Sequence, residues 1–365
     1  MIRVFQSGSC RWIAASAATL GLMFVSACGS TRWNSTGVNK PAVDVYLAGF
    51  EQGSGNSLAM YWKNGVRTLL TDSTHASIAS GIAVSGSDVY VVGNDVPPGQ
   101  RQMATLWKNG VATALTHGAI SGYASGISIS GSDVYVSGGE FDVDALGNMF
   151  FVAEYWKNGV PTVLSNMTAG AGTNAIFVSG TDVYVAGYQY VTTQTGPTTF
   201  TTNPVAMYWK NGVPVQLTDG LNAAIAYSIF VSGPNVYVSG YNCLAAVPNC
   251  GRAAYWVDGT LIQLPTINQS AAASITASGG NVYVADTEVS PTLGELAMLW
   301  TNGVPQTLSV TNNAASNAVA VSGGDVYVAG AYGSYATYFK NGGVETVQSD
   351  ANTDASAFAI AVVPQ

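Results

Sequence analysis

Along most of its length the chain alternates between short apolar runs and tight polar turns, and these recur as a set. One copy reads AIFVSGTDVYVAG at 175–187, with AMYWKNG following at 206–212. Two β-rich runs around a Ser-Gly-Thr-Asp turn predict a hairpin. The third run ends in Lys-Asn-Gly, and Asn-Gly tolerates the positive φ of a two-residue hairpin. A fourth short run, as at 161–164 or 214–217, completes the unit. Each unit therefore holds four short strands, the first being the AIFV type seen again at 82–84, 127–129 and 229–231.

The unit repeats. Its second-strand tyrosine falls at Tyr46, Tyr90, Tyr135, Tyr184, Tyr237, Tyr283 and Tyr327, spaced 44 to 53 residues apart. Its third-strand aromatic falls at Trp62, Trp107, Trp156, Trp209, Trp256, Trp300 and Phe339. Strand-like units with a period in the forties signal a propeller or a solenoid. The first two runs are almost continuously apolar, as strands are when both faces of their sheet are covered. A ring of blades covers both faces of every sheet and leaves no open end. A membrane-spanning barrel needs alternating strands of roughly 9–11 residues, and these runs are shorter.

The ends of the chain complement each other. Residues 41–46, PAVDVY, form a second strand with no first, and residues 357–362, AFAIAV, form a first strand with no second. The expected fold is all-β: a seven-bladed β-propeller of four-stranded antiparallel blades, closed by pairing the C-terminal strand with the N-terminal blade.

The pattern Ala-x-x-Trp-x-x-Gly-x-x-x-x-Leu, as at 153–164, precedes a small-residue run and the next hairpin. It resembles the extracellular HAF-type repeat over essentially 41–365, departing from it in the Ser-Gly-x-Asp-Val-Tyr-Val hairpin. The resemblance implies export and a propeller-like fold, and it supplies no catalytic residues.

The N-terminus has a different character. Arg3 and Arg11 precede an apolar run at 12–25 that is short for a membrane span. Val-Ser-Ala-Cys at 25–28 resembles a bacterial lipobox, which makes Cys28 the expected lipidation site and Gly29 a pointer to the outer membrane. The expected organisation is a signal peptide over 1–27, a lipidated cysteine and polar tether over 28–40, and the propeller over 41–365. Multiple acyl chains would anchor the chain stably to the membrane. In an exported chain Cys243 and Cys250 are expected to form a disulfide.

Charge narrows the partners. The full chain carries a net charge of −8 and only 9% charged residues, so nucleic acid is an unsuitable ligand. A monomer is expected.

In a four-stranded meander, the turns joining strands one to two and three to four share one face, and here they are short and uniform. The remaining loops vary and lie on the opposite face, where a binding site is expected. Lys63, Lys108, Lys157, Lys210 and Lys340 belong to the uniform face as solvated charges. Glu51, Asp95, Glu140, Asp142, Asp144, Asp286 and Glu288 belong to loops of the variable face, as a rim that either binds cations or aids solubility. Aromatics that repeat in every blade are expected between blades. Those outside the repeat, Tyr123, Tyr188, Tyr190, Tyr227, Tyr241, Tyr332 and Tyr335, lie in or beside the variable loops.

From these the ligand-binding candidates are Tyr188, Tyr190, Tyr241, Tyr332, Phe50, Phe141, Glu140 and Asp142, a platform suited to sugar rings or peptides. No catalytic motif and no cofactor motif is present. His75 and His117, the only histidines, cannot supply a three-ligand metal site. Residues 142–148 have the opening of a calcium loop but lack its third acid and distal Glu. The leading expectation is a binding or interaction module. The alternative is a carbohydrate-active lyase or hydrolase using loop carboxylates such as Glu140 and Asp142.

Overall fold

A computed structural model describes residues 43–116, 121–143, 147, 149–165, 170–196, 198–243, 251–266, 268–309, 313–346 and 354–365. The strands in chain order fall into seven four-stranded sheets. The first blade holds β1 (Val43–Gln52), β2 (Ser57–Lys63) and β3 (Val66–Leu69). The second holds β4 (Ala76–Ser85), β5 (Asp88–Val96), β6 (Met103–Lys108) and β7 (Val111–Ala114). The third holds β8 (Gly122–Ser130), β9 (Asp133–Val143), β10 (Met149–Lys157) and β11 (Val160–Val163). The fourth holds β12 (Ala171–Ser179), β13 (Asp182–Gln194), β14 (Phe200–Lys210) and β15 (Val213–Gln216). The fifth holds β16 (Ala224–Ser232), β17 (Asn235–Cys243), β18 (Gly251–Val257) and β19 (Thr260–Gln263). The sixth holds β20 (Ser270–Ser278), β21 (Asn281–Ser290), β22 (Gly294–Thr301) and β23 (Val304–Thr307). The seventh holds β24 (Ala314–Ser322), β25 (Asp325–Tyr332), β26 (Tyr335–Lys340) and β27 (Gly343–Thr346). Last, β28 (Ala355–Pro364) pairs with β1 and completes the first blade, as the two incomplete ends of the sequence require. The inner strands β28, β4, β8, β12, β16, β20 and β24 each touch the next, and β24 touches β28, so the ring is closed.

The inner strands are longer than the apolar runs suggest because each contains a bulge. Register shifts between Ala79 and Gly81 in the second blade and at the equivalent place in the other six. A bulge inserts one unpaired residue and bends the strand. It also reverses the in/out alternation halfway along, which hides a nine- or ten-residue strand from a period-two reading. Opposite each bulge the second strand carries Gly49, Gly93, Gly138, Gly187, Gly240 or Gly330, and a Cβ there would lie 1.7–2.0 Å from an inner-strand carbonyl oxygen. The sixth blade has Asp286 at this position.

Packing between blades accounts for the repeat aromatics. Seven buried clusters fall one to each blade junction, and each contains the third-strand aromatic of the later blade. Trp62, Trp107, Trp256 and Phe339 have no exposed surface. Truncating a buried aromatic of this kind typically costs about 3–5 kcal/mol.

The uniform face is more ordered than a solvated-charge reading implies. In the turns, Asn64, Asn109, Asn158, Asn211, Asn302 and Asn341 have φ near 50°, and the fifth blade uses Asp258. Each of these side chains also accepts a hydrogen bond from the second-strand amide, as Asn64 Oδ1 does from Val45 N–H at 2.8 Å. The five lysines reach Asp44, Asp88, Asp133, Asp182 and Asp325 at 2.8–3.5 Å and lie over the repeat tyrosines. Where the lysine is replaced, by Val257 and Thr301, the aspartate is replaced too, by Asn235 and Asn281. Lysine and aspartate therefore act as a pair.

Candidate functional site

The bulge residues Ser80, Ser125, Asn174, Tyr227, Ala273, Asn317 and Phe358 line a central channel cavity of about 250 Å³. Its wall combines serines, glycines and alanines with five isoleucines, a valine and two amides, with no carboxylate among the described lining residues. Tyr227 and Phe358 are the aromatic members of this ring, and both link the channel to the variable face. Phe358 stacks on Phe50 at 5.6 Å. Tyr227 meets Tyr241 at 5.9 Å with an interplanar angle of 46°.

Next to that pair stand Tyr188 and Tyr190, edge to face at 5.7 Å and 90°. Both lie on the outer part of β13, which with β14 forms the longest hairpin of the ring, so residues expected in a loop are strand. Tyr188 packs over Gly172, where a Cβ would come within 2.8 Å of the ring, so the glycine makes room for it. Burial raises the pKa of Tyr227 to about 12, with Tyr241 and Tyr188 contributing, and raises those of Tyr188 and Tyr241. The phenols are hydrogen-bonding neutral groups throughout the physiological range. Tyr188, Tyr190 and Tyr241 thus stand near one another, with Tyr227 beside them. A ring placed by a bulge cannot be assigned from its local sequence.

The other candidates fall elsewhere. Phe141 packs against Phe151 at 3.7 Å, and Phe151 against Tyr123. The Tyr123 hydroxyl accepts Thr173 N–H from the next blade at 3.0 Å. Tyr332 pairs with Tyr335 in the seventh blade and packs at the junction of the sixth and seventh blades, apart from the tyrosine group. Asp142 accepts the amide of Val143. The remainder of the calcium-like loop, apart from Gly147, lies outside the described residues, as do His117, Cys28 and Cys250. Cys243 is buried at the end of β17.

The acidic rim is largely not a rim. Glu51 pairs with Arg67 at 2.9 Å and Asp95 with His75 at 2.8 Å, and both acids are buried. Glu288 accepts two hydrogen bonds from Asn268. These acids sit at one register position near the ends of second strands, where they fasten neighbouring elements of their own blade. Asp286 is fully buried in β21 and accepts Trp300 Nε1–H at 3.0 Å. In the second, fourth and fifth blades the same indole N–H is buried without a partner among the described residues.

Sequence reading missed Glu154. It occupies the buried position held by Met60, Met207 and Met298 in other blades, and burial raises its pKa to about 7, with the Glu140 charge adding to the rise. The substitution Ala-Glu-Tyr-Trp for Ala-Met-Tyr-Trp was the available signal. Glu140 is therefore close to Glu154.

No family model and no curated protein matches this chain. Solved structures do. A puromycin-hydrolysing peptidase of Mycobacterium tuberculosis is 12% identical with a TM-score of 0.50, over 83% of this chain and 52% of that one. The β-propeller domain of the Trilobed protease from Pyrococcus furiosus is 9% identical with a TM-score of 0.42, over 76% and 99%. The structure of YjhT is 11% identical with a TM-score of 0.39, over 78% and 97%. This chain spans about half the length of the peptidase. At 12% identity the likeness to the peptidase concerns the fold alone, and the strand topology of this chain is itself that of a β-propeller.

Proposed function

We propose that this chain is a binding module: a propeller held at the cell envelope by lipid on Cys28, presenting its variable face to a glycan or peptide. The observation that carries this reading is the convergence of Tyr188, Tyr190, Tyr227 and Tyr241, from two neighbouring blades, on one part of that face. Amphipathic rings held on a rigid ring of strands offer apolar area and hydroxyl tips at little entropic cost. The lipobox-like 25–28 segment and Gly29 support an outer-membrane anchor, and export is consistent with a Cys243–Cys250 disulfide. The repeat is read as HAF-like, and the chain as a monomer.

A carbohydrate-active enzyme is the second reading, and the Glu140–Glu154 proximity is what favours it. Neither residue lines the channel cavity, so binding is the better-supported reading. A glycan and peptide array probed with residues 41–365 tests it. Tyr188→Ala and Tyr241→Ala should each abolish the signal while leaving the melting temperature unchanged. Binding that survives both substitutions overturns the assignment.

A further inference from the structure

Among the described residues the ion pairs leave over two basic side chains, Arg101 and Arg252. Lys63, Arg67, Lys108, Lys157, Lys210 and Lys340 are each paired with a carboxylate, and Arg101 is exposed in a loop. Arg252 is half-buried on β18, in register with Asn242, and its Nη1 is buried with no hydrogen-bond partner among the described residues. A guanidinium donor left unsatisfied out of water is costlier than a neutral one.

Strand alternation locates this group. Ala254 and Trp256 face the fourth blade, in one buried cluster with Tyr184 and Ala186. Residues two apart on a strand share a face, so Arg252 continues the Ala254–Trp256 row while Tyr188 and Tyr190 continue the Tyr184–Ala186 row. By this alternation all three belong to strand faces that border the junction of the fourth and fifth blades, and Asn242, in register with Arg252, shares its face. Both strands are interior to their sheets, β13 between β12 and β14 and β18 between β17 and β19. A peptide would find no free strand edge there.

We propose that Arg252, with Tyr188, Tyr190 and Asn242, forms a subsite for the carboxylate of an acidic sugar, a uronate unit of an oligosaccharide. The inference rests on the reading of the variable face as a binding surface. The planar guanidinium fork matches a carboxylate in two parallel hydrogen bonds. The tyrosines supply apolar faces for the pyranose and hydroxyl tips for its edge, and the Asn242 amide is a further donor and acceptor for ring hydroxyls.

The test is calorimetric titration of the full chain in detergent with galacturonate and mannuronate trimers, their methyl esters, a neutral galactose trimer and a free-carboxylate tripeptide. At least one uronate trimer should bind tenfold or more tighter than its ester. Arg252→Gln should remove that preference with the melting temperature retained, and Arg252→Lys, which keeps charge but not the fork, should fall between. Equal binding of acid and ester, or a preference that survives Arg252→Gln, overturns the carboxylate subsite while leaving a glycan-binding face intact. Binding of the tripeptide alone, or no binding of any sugar, overturns both the subsite and the glycan reading. Should Arg252→Gln not fold, Arg252→Lys and the ester comparison on the unaltered chain decide the matter.

Discussion

Asp286 stands where six blades carry glycine, and its charge has a measurable consequence for stability. The carboxyl is fully buried, and its Oδ2 accepts the Trp300 indole N–H at 3.0 Å. Burial raises the pKa from 3.8 to about 6, against the lowering effect of the indole bond and of the Ala271 backbone amide, and the Glu288 charge adds to the rise. The native state then binds the proton more tightly than the unfolded chain does. Stability is highest below the unfolded value and falls as pH rises from about 4 to about 6. The interval corresponds to ~3 kcal/mol lost at pH 7 and above. Asp286→Asn keeps the shape and an acceptor for Trp300 while removing the charge. At pH 8 it should be more stable than the natural chain by up to ~2 kcal/mol, after allowing ~1 kcal/mol for an incompletely bonded amide. At pH 4 the advantage should vanish or reverse. Urea unfolding followed by tryptophan fluorescence at the two pH values gives the difference directly, and other titrating groups cancel because they are common to both proteins. A gap between the two proteins that is the same at pH 4 and pH 8 would refute the reasoning.

Glu154→Met restores the residue of three sister blades; because the Glu154 pKa is raised to about 7, natural stability falls as pH rises from about 4.5 to 7, and the variant should gain ~3 kcal/mol at pH 8, read as a higher melting temperature. Deleting 355–365 removes β28, the inner strand of the first blade and the link between β24 and β4, so cooperative unfolding should be lost. A truncated chain that melts like the full one would sink the closure argument. Gly240→Ala places a Cβ 1.9 Å from the Ile225 carbonyl oxygen and should cost at least ~2 kcal/mol, seen as a lower urea midpoint. An unchanged midpoint would show that the bulge can yield.

Much of the fold is written locally. The seven-fold period, the Asn-Gly turns and the apolar runs on both strand faces specify four-stranded blades stacked in a ring, and the two half-blades at the ends specify its closure. These are properties of neighbouring residues, set by turn chemistry and by covering both faces of a sheet, so a linear reading reaches them. The glycine that ends the second-strand run in six blades could also be seen, but not its cause, since the carbonyl it avoids is brought close by a bulge in the paired inner strand that no local pattern marks.

The site was legible only in part. Off-repeat tyrosines could be singled out because they break the period. Their meeting could not, because Tyr188 and Tyr227 come from successive blades, and only the angle between blades sets their separation. The same holds for the acids. Asp286 reads as a loop acid and Glu154 draws no notice until strand pairing turns both into the junctions between blades. Sequence determined the scaffold through short-range chemistry. Which side chains face one another across a junction was decided by the tertiary ring, where register and blade rotation act together.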